Sequence, residues 1–313
     1  MIHNFDDMLQ RSIDISHERS ALPRIAVAAG DDLAALSALV EAKKLGLAEG
    51  LLIGNKERIT RTISENGFEE ANDFEIIDTA DEKSICERTI EAIHFKEAEI
   101  ILKGKVKSAS LLRAAFDSQK GLRTGRIISD TFIFEYPDVN QKKRLLMITD
   151  GGFNPAPDLH QKIQILENSV EVAHALGNEL PKVAVLSAAE TVNPGLQSTV
   201  DAAIIAKMND RGQIRNCIVD GPLAMDNAIS EEAARVKGIK SPVAGKADIL
   251  LCPTIEAANM TAKAIAYFAH VKLAHATIGA KAPILIPSRN DTSESKLLTI
   301  ALNIVILNNR GDL

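Results

Sequence analysis

The residue groups best suited to chemistry in this chain sit just after short apolar runs. The sharpest is Ser288-Arg289-Asn290-Asp291, between the apolar run Ala282–Pro287 and a helical pattern over Thr292–Leu307. A helix start offers free N–H groups and the positive end of the helix dipole. Adding the Ser288 hydroxyl and the Arg289 guanidinium makes a corner able to gather an anion. The same residue types also cap helices, so Ser288 or Asp291 could simply satisfy orphan N–H groups. Two further segments carry cations: Lys103 to Ser108, leading into a helix that bears Arg113, and Gly121 to Arg126, which contains Arg123. Cations near a helix entrance suit phosphate; a solvated charged face is the other reading. A fourth segment, Asp150-Gly-Gly-Phe-Asn154-Pro-Ala-Pro157, is stiffened by Gly and Pro. It could aim Asn154 and backbone N–H groups at a ligand, or be a plain rigid loop. Asp158 and Gln161 after it form a capping-box start for the next helix.

Several chemistries lack their patterns. There is no G-x-x-x-x-G-K-[ST], no G-x-G-x-x-G and no H-E-x-x-H. The seven histidines are scattered, so no metal site is expected. Cys86, Cys217 and Cys252 are far apart and form no C-x-x-C. They read as small apolar filler in a reducing cytoplasm.

Alternating short apolar runs and helical patterns must position these groups. Strands are expected at 24–29, 51–53, 74–77, 99–102, 145–149, 182–186, 217–219, 249–252 and 283–286. Helices are expected at 33–46, 82–94, 108–117, 159–176, 197–208, 256–273 and 292–307. Nearly all-apolar strands alternating with helices imply parallel sheets covered on both faces, and right-handed crossovers make them doubly wound. Ligands then bind beyond the carboxyl ends of the strands, where the groups above lie. The polar stretches 136–143 and 275–281 are candidate linkers.

The 313 residues suggest two domains. Hydrophobic residues make up 46% and charged residues 25%, which excludes a disordered chain. Aromatic residues are only 4%, with no Trp, which argues against a base-stacking platform. The net charge of −6 argues against general nucleic-acid or membrane-surface binding. No signal peptide or membrane-spanning stretch is visible.

One long stretch carries a family resemblance. Ser241-Pro-Val-Ala-Gly-Lys-Ala-Asp-Ile-Leu-Leu-Cys-Pro-Thr-Ile-Glu-Ala-Ala-Asn-Met-Thr-Ala-Lys263 resembles the C-terminal motif of the phosphate acyltransferases, the phosphotransacetylases and phosphate butyryltransferases. Ser288-Arg289 resembles that family's Ser-Arg pair. Arg113 resembles its arginine against the acyl phosphate. The segments 149–157 and Asp220-Gly-Pro-Leu-Ala224 resemble its central loop and D-G-x-x-x segment. The forms K-G-K-V-K-S, G-L-R-T-G and D-G-P-L-A-M-D are closest to the butyryl branch. Two features depart from the acetyl branch: its catalytic aspartate position is Ser295 here, and its second arginine has no counterpart. The identity of the base therefore stays open.

The resemblance implies an α/β fold of two doubly wound parallel-sheet domains with an interdomain cleft, like the isocitrate and isopropylmalate dehydrogenases. Residues 1–138 and 280–313 would form one domain and 139–279 the other. It implies acyl transfer between coenzyme A and phosphate by direct thiolate attack, in a cytoplasmic homodimer or larger homo-oligomer. Coenzyme A is a substrate, with no resident cofactor and no metal. Ser288, Arg289 and Asp291 are the expected catalytic group, with Asp291 the candidate base by its proximity to the Ser-Arg pair. Arg113, Lys103 and Arg123 are expected on the phosphate. Asp150, Asn154, Glu256, Asn259 and Lys263 are expected on the cleft loop and the coenzyme A side. An acetyl or branched-chain phosphotransacylase is the near alternative. A decarboxylating NAD(P)-dependent dehydrogenase and a two-domain solute-binding protein are the remote ones.

Overall fold

A computed structural model of the protein describes residues 1–137, 142–288 and 291–311. In chain order the first elements are α1 (Phe5–His17), β1 (Arg24–Ala28), α2 (Leu33–Lys44), β2 (Glu49–Gly54) and α3 (Lys56–Glu65). They continue with β3 (Glu75–Asp78), α4 (Glu82–His94), β4 (Ile100–Lys103) and α5 (Ser108–Ala115). Next come β5 (Ser129–Pro137), β6 (Lys143–Thr149), α6 (Leu159–Ala175), β7 (Lys182–Leu186), α7 (Gln197–Asp210) and β8 (Ile218–Leu223). Then follow α8 (Met225–Ile229), α9 (Glu231–Val236), β9 (Ile249–Leu251) and α10 (Ile255–Phe268). The chain closes with β10 (Ala274–Ile278), β11 (Ile284–Leu285) and α11 (Ser293–Arg310).

The chain forms two compact units. One comprises Asp6–Arg126 and Ala274–Leu313, the other Met1–Phe5 and Ile127–Leu273. These changeovers lie at 126/127 and 273/274, against 138/139 and 279/280 in the sequence reading. Strand β5 explains the first difference. It pairs antiparallel with β6 from Thr131↔Thr149 to Pro137↔Lys143, so its residues stay with the strand that follows.

In the unit that carries the chain's last helix, the sheet order is β11-β4-β1-β2-β3, all parallel. Its central strand β1 is fully buried from Ile25 to Ala28, as expected of a parallel strand covered on both faces. The order reverses between β1 and β4, the kind of switch point where open parallel sheets bind ligands. Helix α11 is buried continuously from Lys296 to Leu307, the mark of a helix apolar nearly all round. Its polar Thr299 and Asn303 are used: His275 N–H donates to Thr299 Oγ1, and Asn303 Nδ2 donates to His275 O. They hold β10, which occupies much of the stretch read as a second linker. Its polar His275 and Thr277 disguise a buried strand.

In the other unit the strands run β5-β6-β9-β7-β8. β6, β9, β7 and β8 are parallel, and antiparallel β5 departs from the all-parallel expectation. Asp158 caps α6 with the capping box read from the sequence. Of the first candidate linker, residues 138–141 lie outside the described residues, and Tyr136, Pro137 and Lys143 belong to strands.

Candidate functional site

A cavity of about 420 Å³ opens at the carboxyl ends of β1, β4 and β11. Asp32, Leu33 and Ala34 line it at the start of α2, Lys103 to Val106 line it after β4, and Pro287, Ser288 and Lys296 complete it. It lies at the switch point of its own sheet. A Cβ on Gly104 would fall 2.2 Å from Ala29 O and 2.7 Å from Ala28 O. Only glycine lets the chain after β4 run this close to the end of β1, and this close approach shapes the cavity wall.

The Ser288 corner is a closed turn. Ser288 N–H donates to Asp291 Oδ2 at 2.7 Å, and Asp291 N–H donates back to Ser288 O at 3.1 Å. His275 Nε2 stands 3.7 Å from the same Asp291 oxygen. The helix cap is another residue: Thr292 accepts the Ser295 N–H at the start of α11. The capping reading of Ser288 and Asp291 is thereby replaced, because Thr292 does that work. Arg289 and Asn290 lie outside the described residues.

Two buried lysines face this cavity. Lys103 is 9% exposed, and its Nζ donates to Gly104 O at 3.0 Å and Val106 O at 3.4 Å. Lys296 is 3% exposed and donates to Ser288 O at 3.4 Å and Asp291 O at 2.5 Å. Burial pushes the Lys296 ammonium below its ordinary value, while Asp291 and Asp32 pull it back up. Lys105 is exposed and reaches Asp31 at 3.5 Å, a pair of little energetic weight. Against three lysines the lining holds one carboxylate, Asp32, whose side chain already caps α2 by accepting the Ala35 N–H. The lining thus carries more cationic than anionic side chains.

The other expected phosphate residues do not line it. Arg113 is exposed on α5. Arg123 is exposed, with its Nε donating to Phe116 O at 2.6 Å.

The second unit builds a separate polar loop. Asp150 is 3% exposed. Its Oδ1 accepts from the N–H groups of Asp130, Gly152 and Phe153, and its Oδ2 from the Asn154 N–H. The Asn154 amide donates to Asp150 and to Ile128 O. Burial pushes the Asp150 carboxyl above its ordinary value, against the pull of these donors. Gly151 cannot carry a Cβ, which would meet the Phe132 ring at 2.0 Å. Asn259 on α10 donates to Gly151 O at 3.0 Å. Asp150, Asn154 and Asn259 therefore build and brace the loop. Glu256 and Lys263 are exposed on the same helix, three residues before and four after Asn259, which puts the three on one face. Its own N–H and the Thr254 hydroxyl hold the Glu256 carboxyl below its ordinary value.

All three cysteines are buried. Burial pushes the Cys252 thiol up to about 12 and those of Cys86 and Cys217 to about 11, so none is a ready thiolate. Among the described residues, no group of three or more His, Cys, Asp or Glu could hold a metal ion. No helix among them is long and apolar enough to cross a membrane.

Residues 83–304 match the family model described as phosphate acetyl/butaryl transferase. The chain belongs to this family. A phosphate butyryltransferase of Clostridium acetobutylicum is 40% identical over 310 residues, covering 99% of this chain and 100% of the relative. A phosphate acetyltransferase of Thermotoga maritima is 44% identical over 282 residues, covering 90% and 94%. The crystal structure of a branched-chain phosphotransacylase from Enterococcus faecalis superposes with a TM-score of 0.79 at 28% identity, covering 91% of this chain and 99% of the other. The protein is a phosphate acyltransferase enzyme. The matched span takes in Lys103, Ser288, Lys296 and the Asp150 loop, while Asp32, Leu33 and Ala34 of the cavity wall precede it. Two cavity residues escaped the sequence reading: Asp32, which ends a G-D-D turn, and Lys296, which sits unmarked inside a helical pattern.

Proposed function

We propose that the protein moves a butanoyl group between coenzyme A and inorganic phosphate: butanoyl-CoA + phosphate ⇌ butanoyl phosphate + CoA. The observation that carries this reading is the lysine-lined cavity at the β1/β4 switch point, with Ser288 in its wall. The full-length match to a phosphate butyryltransferase supports it. The cavity takes the phosphate or acyl phosphate, with Lys103 in its wall and Arg289 and Arg113 as further phosphate cations. In the direction that forms butanoyl-CoA, the coenzyme A thiol must become a thiolate, since a free thiol titrates near ~8.5. Asp291 takes that proton, and the thiolate attacks the acyl carbon of butanoyl phosphate directly in a ternary complex; the C–S bond forms, the acyl carbon–oxygen bond breaks, and phosphate leaves. Holding both substrates together supplies much of the rate. Ser288 and neighbouring N–H groups stabilise the tetrahedral oxyanion; one such donor contributes about 3–4 kcal/mol. Arg123 is an outer phosphate residue. The coenzyme A side falls to the loop braced by Asp150, Asn154 and Asn259, with Glu256 and Lys263 on its helix. These substrates place the enzyme in the cytoplasm, and we take it to be a homo-oligomer.

A shorter or branched acyl group is the second reading. The acetyltransferase relative at 44% identity and the branched-chain phosphotransacylase structure favour it. The machinery would be the same, since one methylene contributes only about 1–3 kcal/mol of discrimination.

The machinery is tested by Arg289→Gln and Ser288→Ala in a thiol-release assay with butanoyl-CoA and phosphate. The expected result is a kcat lower by orders of magnitude for Arg289→Gln and by about 100-fold or more for Ser288→Ala, with the fold intact by circular dichroism. Turnover near wild type in Arg289→Gln would remove it from the reaction.

A further inference from the structure

Lys296 is a buried, charged cavity residue that the reaction written above does not use. It lies eight residues after Ser288, in the first turn of α11, and is 3% exposed. A lysine this deep is costly, because its ammonium has left water. An apolar residue would fit the buried run Lys296–Leu307 at less cost. What the lysine does there is specific: its ammonium bridges two backbone carbonyls, Ser288 O and Asp291 O. Those residues are already joined by the two bonds of the Ser288–Asp291 turn. The ammonium therefore closes the turn from below and faces the same cavity as Ser288.

We propose that Lys296 is a positioning residue of the acyl-transfer site: by gripping the Ser288 and Asp291 carbonyls, its ammonium sets where the Ser288 hydroxyl meets the substrate. This rests on the proposed function for what Ser288 does. Charged side chains around it are accounted for. Asp291 belongs to the turn it grips, and His275 on β10 stands at that carboxylate. Asp32 at the start of α2 and Lys103 after β4 share the cavity wall, and Lys105 there is paired with Asp31. Lys296 bonds both ends of the turn.

The experiment is a double-mutant cycle on the full chain with butanoyl-CoA and phosphate, pairing Lys296→Met with Ser288→Ala. Misplacing a reacting group by about 1 Å can cost about 100-fold. Lys296→Met is therefore expected to lower kcat about 100-fold, with KM for butanoyl-CoA within about threefold. The double variant is expected to be no slower than Ser288→Ala alone, because residues acting as a unit do not add. Wild-type kcat in Lys296→Met, or losses that multiply in the double variant, would overturn the proposal. If Lys296→Met does not fold, Lys296→Gln, which keeps one donor for a carbonyl, goes through the same cycle with the same criteria. A wild-type chain that releases no thiol from any acyl-CoA in the presence of phosphate would instead refute the proposed function.

Discussion

Ser288 and Asp291 are joined head to tail: each donates its N–H to an oxygen of the other, at 2.7 Å to the Asp291 carboxylate and 3.1 Å to the Ser288 carbonyl. The candidate oxyanion-stabilising hydroxyl and the candidate base are therefore held next to each other by two hydrogen bonds. Asp291→Asn separates the two jobs of the carboxylate. Its amide oxygen can still accept the Ser288 N–H, so the turn survives. Proton transfer is lost, so kcat is expected to fall by about 100-fold or more with the melting temperature nearly unchanged. A variant that turns over normally would move the base elsewhere.

Lys296 gives a prediction with a definite sign. Burial lowers its ammonium below the ordinary 10.5, so the folded chain releases this proton at a lower pH than the unfolded chain. Between those two values the unfolded state binds more protons, and stability rises with pH. Wild type is therefore expected to gain stability on Lys296→Met as pH climbs through that window towards 10.5. Parallel denaturant melts of both proteins measure it; a wild-type stability that stays level with, or falls relative to, that of the variant across this window would contradict the burial argument.

Cys252 directly follows β9, inside the Ser241–Lys263 motif, yet its thiol is pushed up to about 12. A covalent acyl-enzyme through it is not expected. Cys252→Ala should keep kcat within about twofold and cost about 1 kcal/mol of stability. Intact-protein mass spectrometry after incubation with butanoyl-CoA should show no added acyl group in wild type.

Gly104→Ala tests the cavity wall. The added methyl would strike Ala29 O and Ala28 O, backbone atoms that cannot rotate away. Overpacking of this kind typically costs about 1–3 kcal/mol. The variant should lose that much in denaturant melts and should also lose turnover, because β1 and β4 part where the cavity forms.

Much of this was legible before any coordinates. The strands β1, β2, β4, β6, β7 and β9 each hold a short apolar run, and Ser288 and Asp291 stand at a strand end before a helix, where parallel sheets place ligand groups. β10 was not legible because His275 and Thr277 look solvent-bound. Their burial depends on Thr299 and Asn303 of α11, a tertiary fact. β5 was missed because the alternation of parallel strands and helices has no place for an antiparallel partner. Thr292 took the capping work that Ser288 and Asp291 could have done. Lys296 was invisible for the same kind of reason: a lysine in a helical pattern reads as a solvated side chain until the fold buries it.

The central claim is acyl transfer between coenzyme A and phosphate with butanoyl as the preferred group. The direct measurement is kcat/KM for thiol release from acetyl-, propanoyl-, butanoyl- and isobutanoyl-CoA, each with and without inorganic phosphate. The account predicts release that depends on phosphate and is fastest with butanoyl-CoA. Release that ignores phosphate, or a maximum at acetyl- or isobutanoyl-CoA, would contradict it.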